Sequence, residues 1–308
     1  MADLDGADDA PLPPVEFAPL VAPPAPAHRV WTVFAGYAGA VGASALGGSL
    51  AVGAIALVAS ARQRAAQGAW MSPPMTLAFA HALAGRPVGV LAASLATGLA
   101  LAAFALIPAS LSSELLTDRL RLGARPRWLA WGALAAWGLR GLADVTAGLA
   151  QLLHREPRGP TAALAGALSP ARPGLLLLAV LVHGGAVAAG EELFFRGYVQ
   201  TRLGKRWGAR AAVAVTALLF AALHLADPAQ AAFALAAGVF LGWVSARAGT
   251  IRVTLVAHAL HNAGAVLALA SAPIARSRAT TAVWMGLGVV ALVACVALFR
   301  RLDPDDAA

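Results

Sequence analysis

The sequence is poor in cysteine and in charge, and each shortage narrows the class of protein. Cys295 is the single cysteine among 308 residues, so no internal disulfide bond can form. Charged residues make up only 12% of the chain, whereas a soluble domain carries about 25%. Hydrophobic residues make up 59%, and the mean hydropathy is +0.72. This composition excludes a large soluble domain and predicts a polytopic membrane protein.

Lysine is nearly absent as well, because Lys205 is the only lysine among 23 basic residues. Together with abundant alanine, this suggests a GC-rich bacterial genome. The net charge of +8 does not indicate a nucleic-acid-binding protein. The arginines lie in short loops between apolar segments, where basic residues set membrane topology. Their distribution predicts a multi-pass cell (inner) membrane protein with both termini in the cytoplasm.

Eight apolar stretches approach or exceed the length of about 20 residues that a helix needs to cross a bilayer. We therefore expect an all-α fold, a polytopic transmembrane helix bundle of about eight spans. A proline lacks the backbone donor and disfavours helix just before it, so Asp227–Pro228 is expected to separate the fifth span from the sixth. The stretches are residues 30–61, 87–113, 128–153, 173–199, 211–226, 228–246, 253–275 and 279–299.

Two adjacent carboxylates and an arginine interrupt the fourth apolar stretch. A charge at membrane depth costs roughly 2.5–3.5 kcal/mol on insertion scales, so Glu191, Glu192 and Arg196 indicate a functional site. Glu192 and Arg196 are four residues apart and are expected to pair on one helix face. Glu191 lies about 100° around the helix. The pattern predicts one carboxylate held by arginine and one that is free to act as a base.

Two later stretches carry histidine and asparagine. His224 lies on the fifth stretch, and His258 and Asn262 share a face of the seventh, with His261 close to that face. Spacing alone does not decide which of the two neighbouring histidines works. Heights estimated along the helices overlap, so these groups can converge with Glu191 in one cavity. Such a set can hydrolyse a bond, with carboxylate and histidine activating water and histidine and amide stabilising the oxyanion.

A second charged pair occurs on the third stretch, where Arg140 and Asp144 are four residues apart. We interpret it as a self-neutralising structural pair inside the bundle. Two other functions remain alternatives to hydrolysis for the chain. The first is a membrane transporter, because buried Glu, His and Arg also form proton relays. The second is a non-catalytic membrane scaffold or immunity protein that retains the fold. No convincing internal repeat supports the transporter alternative.

Three motifs in order on successive apolar helices resemble the CPBP family, the CAAX-processing and bacteriocin-processing intramembrane proteases also called Abi proteins. Glu-Glu-x-x-x-Arg begins at Glu191, Phe-x-x-x-His at Phe220 and His-x-x-x-Asn at His258. The connecting segment 233–251 is similar too, and the resemblance covers about residues 173–268. It implies an α-helical intramembrane endopeptidase that hydrolyses a peptide bond in a membrane protein or lipid-modified peptide.

The resemblance also implies roles for the motif residues at their positions here. Glu191 corresponds to the catalytic carboxylate that polarises water, with Glu192 and Arg196 as its supports. His224 corresponds to the partner that binds the water or a metal. His258 and Asn262 correspond to oxyanion donors or further metal ligands.

His261 falls at a variable position of the motif and is expected to be structural. The family is often called metalloprotease, although a metal-free glutamate mechanism has also been proposed for it. The sequence has no His-Glu-x-x-His and leaves the use of zinc open. If zinc is present, its expected ligands are Glu191, His224 and His258, with a fourth position open.

The expected organisation has four parts. Residues 1–28 form a disordered, acidic and proline-rich cytoplasmic tail, and residues 29–160 form variable N-terminal transmembrane helices. Residues 161–275 form the CPBP-like catalytic core, preceded by a loop at 154–173 that overlaps its start. Residues 276–308 form the last transmembrane helix and a short tail. The expected partners are the lipid bilayer and a membrane-associated substrate, and no nucleic acid.

Overall fold

A computed structural model describes residues 30–123, 127–156, 158–168, 172–270 and 277–301. Of these described residues, 87% are helical, and none lies in a strand. The all-α class predicted from hydropathy is therefore confirmed. The predicted tail at residues 1–28 lies outside the described residues.

Ten helices follow one another in the described part of the chain. Three of them, α2, α4 and α6, are shorter than a bilayer span, and α6 lies where the sequence predicted only a loop. That prediction was wrong because the short apolar run after Pro160 is helical despite its Pro- and Gly-rich surroundings. The helices are α1 (Trp31–Gln67), α2 (Pro73–Ala84), α3 (Pro87–Ser110), α4 (Leu116–Arg119), α5 (Trp128–Leu152), α6 (Gly159–Leu168), α7 (Pro173–Ala222), α8 (Pro228–Ala248), α9 (Arg252–Ala270) and α10 (Arg278–Arg301).

Helix α7 is a hairpin that reverses its direction at Gly208. This glycine has φ 79° and ψ 164°, a backbone conformation that residues with a side chain rarely adopt. Four residues to either side, a Cβ built on Gly204 would lie 3.8 Å from the Cβ of Ala212. Twelve residues to either side, the Arg196 Cζ lies 4.9 Å from the centroid of the Phe220 ring. The two halves of α7 are therefore antiparallel.

Six helices of the described chain are long and apolar enough to cross a membrane, namely α1, α3, α7, α8, α9 and α10. The expected eight stretches differ from these six for two reasons. The first arm of α7 (residues 173–207) and its second arm (residues 209–222) correspond to two predicted spans. Helix α5 has a lower hydropathy because Arg140, Asp144 and several tryptophans lie along it. The protein is a multi-pass membrane protein.

Glycines allow helix backbones to touch at two crossings. A Cβ built on Gly98 of α3 would lie 2.6 Å from the carbonyl oxygen of Ala186, and one built on Gly190 would overlap the backbone of Gly98. At the crossing of α5 and α10, a Cβ on Gly288 would lie 2.5 Å from the carbonyl oxygen of Gly141. Such close approach is how membrane helices gain packing energy. Because Gly190 precedes Glu191, the first crossing fixes the position of the carboxylates.

The two charged features predicted outside the motifs are present. Arg140 Nη2 lies 2.6 Å from Asp144 Oδ1, as expected for a pair on one face of α5. Asp227 caps α8, because its Oδ1 accepts hydrogen bonds from the N–H groups of Ala229 at 3.0 Å and Gln230 at 3.3 Å. The break at Asp227–Pro228 is therefore confirmed, and it holds the turn that carries His224.

Candidate functional site

His258 of α9 bridges the two adjacent carboxylates of α7. Its Nδ1 lies 2.8 Å from Glu192 Oε1, and its Nε2 lies 3.3 Å from Glu191 Oε2. All three side chains are buried, with Glu192 fully enclosed and Glu191 6% exposed. The imidazole thus joins α9 to α7 at the centre of the bundle and uses both ring nitrogens to do so.

The predicted pair of Glu192 and Arg196 is present and buried. Arg196 Nη1 donates a hydrogen bond of 2.7 Å to Glu192 Oε1, and neither side chain is exposed. The Arg196 guanidinium also lies against the Phe220 ring, a cation–π contact that helps a desolvated cation. Glu192 is therefore neutralised by arginine and held by His258. Breaking a buried pair of this kind is strongly destabilising, because it leaves an uncompensated charge.

His258 meets the two carboxylates through different ring nitrogens. Its Nδ1 forms the hydrogen bond with Glu192 Oε1, and because an ionised carboxylate can only accept, Nδ1 carries the hydrogen of that bond. Its Nε2 faces Glu191 Oε2. Glu191 therefore faces an imidazole nitrogen, a group that can either donate or accept a hydrogen bond.

Two stretches of wide, π-helical turns flank these carboxylates on the first arm of α7. They cover Leu181–Val187 and Leu193–Gln200, and a short α-helical segment, Ala188–Glu192, lies between them. Turns of this type are rare in proteins, and those that occur often lie at functional sites. The intervening α-helical geometry keeps Glu191 and Glu192 about 100° apart. This is why one carboxylate pairs with Arg196 while the other does not.

His224 lies in the turn after the second arm of α7 and reaches the site through Phe220. Its Nδ1 lies 3.0 Å from the backbone oxygen of Phe220. The Phe220 ring lies 5.1 Å from the His224 ring and 6.0 Å from the His258 ring, both edge-on. In the described residues no hydrogen bond joins His224 to Glu191. The sequence had marked Phe220 only as a motif position, and the structure places it between the two histidines.

Asn262 lies one turn beyond His258 on α9. Its Nδ2 donates a hydrogen bond of 3.0 Å to the backbone oxygen of His183, in the first π-helical stretch of α7. No motif in the sequence includes His183, whose Nε2 is buried and has no partner among the described residues. Its position on the same apolar stretch as Glu191, eight residues before it, is the sequence feature that could have indicated a site residue. Asn262 thus ties α9 to α7 beside the carboxylates.

His261 lies apart from the carboxylates. Its ring stacks on Phe233 of α8, with centroids 5.1 Å apart and planes at 26°. Its Nδ1 is buried and has no partner within the described ranges. The two neighbouring histidines of α9 therefore have different surroundings, and only His258 contacts Glu191 and Glu192.

The expected zinc ligands are not assembled as a metal site. Within the ranges that the structure describes, no group of three His, Cys, Asp or Glu side chains is arranged to hold a metal ion. His258 and Glu191 are in contact, but Phe220 lies between His258 and His224. The residues present do not fit a three-ligand zinc site in this geometry.

The fold and the site define a polytopic α-helical membrane protein with a buried Glu–His–Arg centre. Residues 173–264 match the family described as "Type II CAAX prenyl endopeptidase Rce1-like". This stretch runs from the start of α7 into α9 and contains every candidate site residue. The match confirms the resemblance to CPBP intramembrane proteases over this segment and supports, at family level, an intramembrane protease. Neither the curated proteins nor the solved structures contain a match.

Proposed function

We propose that the protein hydrolyses a peptide bond in a membrane-associated protein or a lipid-modified peptide, and that Glu191 activates the water. The observation that carries this proposal is the unequal treatment of two adjacent carboxylates. Glu192 accepts hydrogen bonds from both Arg196 and His258, whereas the one polar partner of Glu191 within the described residues is His258, and Glu191 keeps some exposure. A general base has to reach its water, and Glu191 is the carboxylate that can do so.

The chemistry follows from this arrangement. Glu191 takes a proton from water as the water oxygen bonds to the scissile carbonyl carbon, which places negative charge on the carbonyl oxygen. The C–N bond then breaks, and the proton held at Glu191 passes to the leaving amine. Donors preorganised at a developing oxyanion usually supply the largest stabilisation. The Nε2–H of protonated His258, which faces Glu191, becomes such a donor once Glu191 has taken the proton from water, because Glu192 and Arg196 hold the ring in place.

His224 and Asn262 complete the proposed set. The contact between His224 Nδ1 and Phe220 leaves Nε2 as the nitrogen available to water or to the oxyanion. Asn262 uses one amide hydrogen on the His183 oxygen and has a second for substrate. Apo sites often show loose catalytic hydrogen bonds that tighten in the complex. We further propose that the protein lies in the bacterial cell membrane with both termini in the cytoplasm, so that the site opens toward that side.

The test compares the termini of membrane proteins in three strains. One strain expresses the wild type, one Glu191→Gln, and one Glu156→Gln, which makes the same chemical change at an exposed residue outside the site. New termini are expected with the wild type and with Glu156→Gln and are expected to be absent with Glu191→Gln. Identical termini in all three strains, at equal protein levels, would contradict the proposal and favour a transporter or scaffold.

A further inference from the structure

A small basic pocket lies beyond the site, where the first arm of α7 meets the end of α3 and the loop carrying α4. Three cations line it, Arg119, Arg202 and Lys205, together with Tyr198 and Leu120. None of these residues belongs to the Glu191–His258 centre. The proposed hydrolysis makes no use of these three cations.

One carboxylate is shared among the cations of this pocket. Glu114 lies 3.3 Å from Arg119 Nη1 and 3.5 Å from Lys205 Nζ. Arg202 contacts neutral groups, with Nη1 3.3 Å from the Tyr198 hydroxyl and 3.4 Å from the Thr32 hydroxyl. Among the described residues that line the pocket or contact its cations, three cations therefore face one carboxylate, and a bound anion would balance the excess positive charge.

The surroundings place the pocket at the level of lipid headgroups. Trp31, Phe34 and Trp207 are exposed large aromatics, and the rings of Phe34 and Trp207 lie 6.4 Å apart. Tryptophan is enriched at the interface between membrane and water. Trp207 follows Lys205 by two residues, and Trp31 precedes Thr32, which contacts Arg202. These aromatics therefore indicate that the cations lie near the level of the lipid phosphates.

We propose that the three cations around this pocket bind a phosphate-type oxyanion at its mouth, with the headgroup of an anionic phospholipid as its source. The cavity itself, about 10 Å³, has room for little more than one water, so the phosphate would lie across the opening. Arginine forks match phosphate oxygens, and lysine adds a point charge. The bound phosphate would join the end of α3, the loop after it and α7, because the lining residues come from all three. It would hold together the end of the bundle beyond the arm that carries Glu191. The proposal does not depend on the proposed protease activity.

The test measures the thermal midpoint (Tm) of the full-length protein in a neutral detergent as phosphatidylglycerol, phosphatidylcholine or inorganic phosphate is added. Phosphatidylglycerol is expected to raise Tm of the wild type more than phosphatidylcholine does. Lys205→Gln and Arg119→Gln are each expected to lose at least half of that rise. Arg206→Gln removes the same charge at an exposed neighbour that does not line the pocket, and it is expected to keep the rise.

Other outcomes separate the alternatives. An equal loss of the rise in Arg206→Gln and Lys205→Gln would overturn the site and leave only diffuse attraction. An equal rise with millimolar inorganic phosphate would support the pocket and overturn the lipid source. If a variant is too unstable for the Tm comparison, native mass spectrometry of the folded fraction counts retained phosphatidylglycerol. Fewer retained lipids in Lys205→Gln than in Arg206→Gln support the pocket, and equal numbers overturn it.

Discussion

The guanidinium of Arg196 lies against the ring of Phe220, although the two residues are twenty-four positions apart on one helix. The contact exists because the chain reverses midway between them, at Gly208. The same reversal sets His224 at the level of Glu192. Three motifs that are distant in sequence therefore share one centre because of a single glycine turn and the packing of α9 against α7.

Replacing Gly208 with alanine is expected to destabilise the protein by about 1–3 kcal/mol, the usual strain of a side chain held in such a conformation. Gly208→Ala should lower Tm in detergent. The matched control is Gly204→Ala on the same helix, where the added Cβ meets Ala212 at an ordinary contact distance of 3.8 Å. Equal Tm values for the two variants would mean that the turn at Gly208 is not as described.

Gly190→Ala is expected to force α3 and α7 apart, because the added Cβ would overlap the backbone of Gly98. Overpacking of this kind costs typically about 1–3 kcal/mol, and the shift would also displace Glu191. Gly185→Ala is the control on the same arm, since a Cβ there meets nothing within 4 Å. Tm and cleavage should both fall for Gly190→Ala alone, and an unaffected Gly190→Ala would contradict the close crossing.

Arg196→Gln is expected to cost about 3–5 kcal/mol, because it leaves buried Glu192 without its cation. Arg140→Gln provides the comparison, since it also breaks an i,i+4 pair with a carboxylate. Its side chain is 48% exposed, whereas that of Arg196 is fully buried, so a smaller loss is expected there. Chemical denaturation in detergent would measure both, and comparable losses would argue against the buried pair.

His258→Ala is expected to lower the cleavage rate by about 10²–10⁴-fold, the usual contribution of a positioned acid–base group. His261→Ala should change the rate by only a few-fold, because His261 stacks on Phe233 and does not contact the carboxylates. The rates are measured on a substrate found by the comparison of termini. A larger loss in His261→Ala would exchange the roles assigned to the two histidines.

Local spacing predicted part of the site, and tertiary contacts decided the rest. The pair of Glu192 and Arg196 follows from one turn of helix, so the sequence was sufficient for it. The bridge from His258 to both carboxylates depends on how α9 is rotated against α7, which hydropathy does not record. The hydrogen bond from Asn262 to His183 depends on a π-helical stretch, and no pattern in the sequence indicated that stretch.

The fold shows the same division. Long apolar runs predicted the membrane helices, and Asp227–Pro228 ended one of them where expected. Helix α6 was missed because ten residues are too few for a span and lie among proline and glycine. Eight stretches were predicted and six helices are apolar enough to span. One stretch of difference arises because the hairpin α7 contains two of them, and the other because the charged pair lowers the hydropathy of α5.

The most direct test of the central claim compares Glu191→Gln with Glu192→Gln in purified, liposome-reconstituted protein, measuring Tm and cleavage together. Glu191→Gln should keep a Tm close to the wild type and lose cleavage, because Glu191 is the proposed base and has one polar partner, His258, in the described part of the chain. Glu192→Gln should lose cleavage and also lower Tm markedly, because it leaves Arg196 buried without its anion. Retained cleavage in Glu191→Gln, or an unchanged Tm in Glu192→Gln, would contradict the division of roles between the two carboxylates.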